Sequence, residues 1–131
     1  MSQENVELVE RAVAAINARD IDAYLACCIE NVELLMPFFA GAEFVGANGI
    51  RRFFADIEDM GPDFRIELQS VQAVGDNNVI AFVRTSATGR ASGIATGSEG
   101  TNVYDLVDGK ISRIRIFLDR QEALKAMGLE E

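Results

Sequence analysis

The chain has 131 residues, enough for one domain (1–131) that buries a substantial core without a metal or disulfide staple. Acidic residues number 21 and basic residues 12, a net charge of −9, so the composition offers no basic face for a nucleic acid or an anionic membrane. There is no histidine, which excludes Ser–His and Cys–His catalysis and histidine-ligated metal sites.

Ser2 can cap a first helix from about Gln3, and Val6, Val9, Val13 and Ile16 recur at helical spacing. Asn17-Ala18-Arg19-Asp20 breaks that pattern, and Asp20 can cap a second helix from Ile21 to about Cys28. Asn31 to Met36 reads as a short strand stopped by Pro37. Phe38 to Val45 reads as an apolar loop that folds over something, because a loop in water would not normally hold Phe38, Phe39 and Phe44. Asn48 can cap a third helix, Gly49 to Met60, with an apolar stripe of Ile50, Phe53, Phe54 and Ile57.

From Asp63 the apolar period changes to two. Phe64, Ile66 and Leu68 open a long strand, and Gly75 to Asn78 is a turn. Val79 to about Gly89, Ile94 to Val107 and Lys110 to Leu118 are three further strands, the last pair joined at Asp108-Gly109, a strong tight-turn signal. Arg120 to Met127 is a terminal helix ended by Gly128. Helices followed by a run of consecutive strands predict an α+β fold, in which a curved antiparallel sheet forms a cone around the N-terminal helices. The start lacks a basic, apolar leader and no stretch reaches membrane-spanning length, so the expected location is the cytoplasm, with Cys27 and Cys28 reduced.

The start Asn5-Val6-Glu7…Ala14-Ala15-Ile16-Asn17-Ala18-Arg19-Asp20, the Val32-Glu33 strand, Gly46…Gly49-Ile50-Arg51-Arg52-Phe53-Phe54 and Asp108-Gly109-Lys110-Ile111 resemble the SnoaL-like group of the nuclear-transport-factor-2-like, ketosteroid isomerase-like superfamily. The resemblance covers nearly the whole chain. It implies the cone fold strongly and an activity weakly, because that fold hosts isomerases, cyclases, hydrolases and binders. It also implies a hollow lined by Leu34 and Met36, by Phe54, by Phe82, Arg84 and Ser86, by Glu99, Thr101 and Val103, and by Ile114, Ile116 and Leu118. A register change of one residue would invert such an assignment.

The carboxylates used by ketosteroid isomerases and by limonene-type epoxide hydrolases have no counterparts at these positions, where Met36, Thr101 and Ile116 stand. One polar constellation is left, Arg84 beside Glu99. Inside an apolar cone these charges pair with each other, or one of them meets a ligand. Two functions follow. One is a binding module for a small apolar molecule. The other is an isomerase, cyclase or lyase, polyketide cyclase-like and acting on a polyketide- or steroid-like substrate, with Glu99 as catalytic base and no metal or cofactor. A third possibility is a structural domain whose phenylalanines plug the cone. Arg113 and Arg115 are expected on the convex face with Asp105 and Asp119 as partners, and an apolar convex patch of Val79, Ala81, Val83 and Tyr104 suggests a homodimer.

Overall fold

The computed structural model describes residues 2–36, 42–88 and 95–128. Helix α1 (Ser2–Ala18) forms because Val9, Ala12, Val13 and Ile16 repeat on one side, and all four are buried. It ends at Arg19, which adopts a positive φ of 58°. Asp20 then caps α2 (Ile21–Ala26) by accepting from the Ala23 amide at 3.0 Å. This helix is shorter than expected. The Ile111 amide donates to the Cys27 carbonyl at 2.8 Å, which draws Cys28 into strand β1 (Cys28–Met36).

The apolar loop expected up to Val45 is in its second half a strand, β2 (Ala42–Val45), paired antiparallel with β1. Phe38 and Phe39 lie outside the described residues, as does the Gly89 to Gly93 connection. Helix α3 (Gly46–Met60) starts three residues before the expected Gly49, with Val45 at its N-cap position. Asn48 is therefore inside the first turn and does not cap it; its Oδ1 accepts from Arg51 at 3.4 Å. Gly49 allows the helix to lie against β2, since a Cβ there would come within 2.7 Å of the Phe44 carbonyl carbon.

Strands β3 (Arg65–Val74), β4 (Asn78–Thr88), β5 (Ala95–Val107) and β6 (Lys110–Phe117) form the expected meander, and α4 (Arg120–Ala126) follows. Asp108 and Gly109 have φ of 51° and 76°, as a tight two-residue turn between twisted strands requires. The six strands run in the order β2-β1-β6-β5-β4-β3. All neighbours are antiparallel except β1 and β6, which pair in parallel. Register shifts interrupt β1, β3 and the β5–β6 pairing, and such bulges bend a sheet.

One face of the sheet packs on α1, α2 and α3 in a core that includes Val9, Tyr24, Leu34, Ile50, Val79, Tyr104, Ile111 and Ile114. The other face carries α4, whose Ala123 packs with Ile80, Val103 and Phe117. Among the described residues no helix is long and apolar enough to cross a membrane.

Burial sets the chemistry of the core's ionisable groups. It pushes the Cys28 thiol from 9.0 up to about 12, helped by the adjacent Cys27. It pushes the Tyr104 phenol from 10.0 up to about 12, against the opposing hydrogen bond from Asn102. Both groups keep their protons in the folded state at a pH where the unfolded chain loses them. Their contribution is complete below about pH 9 and is lost as pH rises towards 12. The thermal unfolding midpoint is expected to fall steadily above pH 9, and Cys28→Val should make the fall shallower. Equal slopes in the two proteins would show that the thiol is not protected.

Candidate functional site

The two faces of the sheet differ in chemistry, and a single bulge decides which residue lies on which. Val107 pairs with Lys110 and Leu106 with Ile111, but Asp105 pairs with Arg113. Ser112 is the extra residue, and its Oγ donates to the Asp105 carbonyl at 3.0 Å. Beyond the bulge Tyr104 faces across to Ile114 and Asn102 to Ile116. These residues share the concave, helix-packed side, which continues through Ala81 opposite Asn102 and Val83 opposite Gly100.

Between this face and α3 lies a cavity of about 790 Å³. Its floor is Ile66, Val83, Thr85, Ser98, Gly100, Asn102, Ile116 and Met36. Its roof is Phe53, Asp56, Ile57, Asp59 and Met60 of α3, with Phe44 and Phe64 at the sides. Burial of Phe53 and Ile57 explains why α3 sits where it does: these residues form the helix's apolar stripe and have nowhere else to bury it. Phe44 and Phe53 meet edge to face at 5.7 Å, and Arg52 stacks over Phe44 at 5.1 Å. Phe64 is placed by Arg19, which donates to the Phe64 carbonyl at 2.9 Å, to the Ile16 carbonyl at 2.8 Å and to Glu58 at 2.6 Å.

Polar groups in the cavity are few. Thr85 and Ser98 pair with each other, hydroxyl to hydroxyl at 3.0 Å. Asp56 and Asp59 are exposed on the last turns of α3 and reach the cavity's edge. Asn102 is only 6% exposed. Its Nδ2 donates to the Tyr104 hydroxyl at 3.3 Å, and its Oδ1 has no hydrogen-bond partner.

Of the expected lining residues, Met36, Ile116 and Leu118 border the cavity, Leu118 as an exposed residue just past the end of β6. Leu34 and Ile114 are on the right face but fully packed in the core beneath it. Phe54 is also core, set edge to face against Tyr24 at 5.5 Å and Phe53 at 6.3 Å.

The expectation for β4 and β5 is corrected by one residue. Thr101 pairs with Phe117, and Phe82 pairs with Thr101, which puts Phe82, Arg84, Ser86, Glu99, Thr101 and Val103 on the convex side. Val103 lies in the cluster beneath α4, and the Arg120 guanidinium covers the Phe82 ring at 3.9 Å. Ser86 and Glu99 touch only the rim of the cavity. Arg84 and Glu99 do pair, at 3.6 Å, but with side chains 55% and 70% exposed they form a solvated surface pair rather than a desolvated site.

The same inversion moves Val79, Ala81, Val83 and Tyr104 from the convex patch into the concave core. Arg113 and Arg115 do face outward and share Asp105, at 2.7 and 3.3 Å. Asp119 instead caps α4, accepting from the Gln121 amide at 2.8 Å. Residues not expected at the site include Asn102, Val83, Thr85, Ser98, Asp56 and Asp59, and the apolar Phe44, Phe53, Ile57, Met60, Phe64 and Ile66. Asp56 had a visible signal: it follows Phe53 by three residues and so shares its side of α3, and Asp59 lies one turn beyond Asp56.

The chain matches the SnoaL-like domain over residues 9–114 and belongs to that family. Solved structures share its fold. Bal32a, from a soil-derived mobile gene cassette, is 23% identical over 87% of this chain and 88% of its own, with a TM-score of 0.79. TerC, co-crystallised with polyporic acid, is 21% identical over 96% and 97%, at 0.78. A hypothetical protein with a ketosteroid isomerase-like fold from Catenulispora acidiphila, in complex with trimethylamine, is 14% identical over 94% and 93%, at 0.77. A comparison with curated proteins found no match.

Proposed function

We propose that this SnoaL-like domain binds a small, largely apolar molecule in the hollow between α3 and the concave sheet. The observation that carries this reading is the cavity itself: about 790 Å³, walled by phenylalanine, methionine, isoleucine and valine, with few polar groups. That composition is how small-molecule sites are generally built. Among the described residues, Phe44, Phe53 and Phe64 line the hollow without closing it, which argues against these side chains plugging the cone. The complexes of TerC with polyporic acid and of the Catenulispora protein with trimethylamine lend support from the same fold.

The test is titration with an uncharged solvatochromic dye such as Nile red, followed by native mass spectrometry after exposure to metabolite extracts. Saturable dye binding with a blue-shifted emission, and a retained small molecule, are the expected results. Absence of both would defeat the proposal.

A second reading is an isomerase- or cyclase-type reaction on such a molecule. It is favoured by the carboxylates of Asp56 and Asp59 at the cavity edge, which are better placed to meet an occupant than Glu99, on the far face. A cytoplasmic location, and a homodimer across the convex face beside α4, complete the proposal. The support is that Cys27 and Cys28 are free and buried, and that Leu35 is half-buried on that outer face beside Arg115.

A further inference from the structure

Among the described residues, Asn102 Oδ1 is the one fully buried side-chain polar atom of the cavity that has no hydrogen-bond partner. A buried carbonyl oxygen without a donor costs roughly 1–3 kcal/mol. Folded proteins seldom leave such a group unless water or a ligand completes it. The amide turns its nitrogen towards the core. Tyr104 is packed in the core, 3% exposed, and its hydroxyl takes the Asn102 Nδ2 donor. The atom left without a partner is thus an acceptor, Oδ1, buried in the cavity wall.

Charge narrows the occupant further. The ionisable groups along the cavity are Asp56, Asp59 and Glu99, and among the described residues no lysine or arginine lines it. An anion entering an apolar hollow must shed its water. Among the described residues it would find no lining cation in return, and it would pass acidic side chains at the edge.

We infer that the cavity selects an apolar molecule that carries a hydrogen-bond donor and no negative charge, with the donor set on Asn102 Oδ1. This rests on the cavity reading above and specifies its substrate class: alcohols, phenols, enols or amines on an apolar body, and not carboxylates.

Five derivatives of one naphthalene skeleton test it, bearing hydroxyl, aminomethyl, methyl, acetyl or carboxylate, each competed against Nile red on the full chain. The hydroxyl compound is expected to bind about tenfold tighter than the methyl compound, the worth of one hydrogen bond to a buried acceptor. The aminomethyl compound should at least match the methyl one, and the carboxylate should be weakest. Asn102→Leu should erase the gap between hydroxyl and methyl, and Asp56→Asn with Asp59→Asn should narrow the deficit of the carboxylate.

Four results would overturn the inference: a carboxylate as tight as the hydroxyl compound, an acetyl compound that outranks it, a flat ranking, or an unchanged gap in Asn102→Leu. The ranking in the parent protein decides the matter even where the Asn102 variant fails to fold. Dye binding with a flat ranking removes this inference alone, whereas binding of neither dye nor probe removes the cavity reading as well.

Discussion

Replacing Asn17 with alanine is expected to cost about 2–3 kcal/mol and to lower the unfolding midpoint by roughly 10 °C. Asn17 lies near the end of α1, beside β3, which is an edge strand of the sheet. Its Nδ2 donates to the Ile66 carbonyl at 2.9 Å, and its Oδ1 accepts from the Ile66 amide at 2.8 Å. The carboxamide therefore behaves as one residue of an additional strand and closes the edge where it is open. Ile66 itself is 7% exposed, so water is poorly placed to take over both groups. Each bond is worth about 1 kcal/mol net, and stranding the two backbone groups adds to the loss.

The effect reaches the cavity, because Ile66 is part of its floor and Phe64 one of its sides. Faster hydrogen exchange at the Ile66 amide and weaker dye binding should accompany the lower midpoint. A loss under about 0.5 kcal/mol with unchanged exchange would show that α1 does not hold the strand through this side chain.

The elements of this fold are legible in the sequence because each has its own signal. Asp20 caps α2 and Asp108-Gly109 turns the hairpin, both where expected. The functional face was harder to read, and Ser112 is the reason. Counting back from the hairpin without a bulge places Thr101 opposite Ile116 and Val103 opposite Ile114, on the cavity side. The extra residue inverts everything beyond it, so β5 and then β4 present the other parity: Asn102 for Thr101, Val83 for Phe82 and Arg84.

A trace of this was present in β6. Ile111 and Ile114 are both buried on the concave side though three residues apart, which strict alternation forbids. Arg113 and Arg115 follow the normal period, and both reach Asp105, so the bulge is confined to Ser112. What the chain alone could not show is the unpartnered oxygen of Asn102. That depends on where Tyr104 settles in the core.

Filling the hollow should separate binding from folding. Val83 lies on the floor opposite Gly100, where a Cβ would stand 3.7 Å from the Val83 Cγ2, so the valine side chain already leans over the bare glycine at the cavity wall. An aromatic ring placed across from a strand glycine is a stable arrangement, since it covers backbone that is otherwise bare. Ile116, beside Asn102 on the next strand, is a second site from which a ring can enter the cavity.

The double variant Val83→Phe with Ile116→Phe is expected to weaken Nile red binding at least tenfold, about 1.4 kcal/mol. Its unfolding midpoint should stay within a few degrees of the parent or rise, because new apolar atoms fill space rather than displace packed ones. Loss of dye with a collapsed midpoint would mean the rings had broken the core, and the single Val83→Phe variant then carries the test. Undiminished dye affinity in a well-folded double variant would place the dye elsewhere on the protein. The hollow over Val83 and Asn102 would then not be where this domain meets its small molecule.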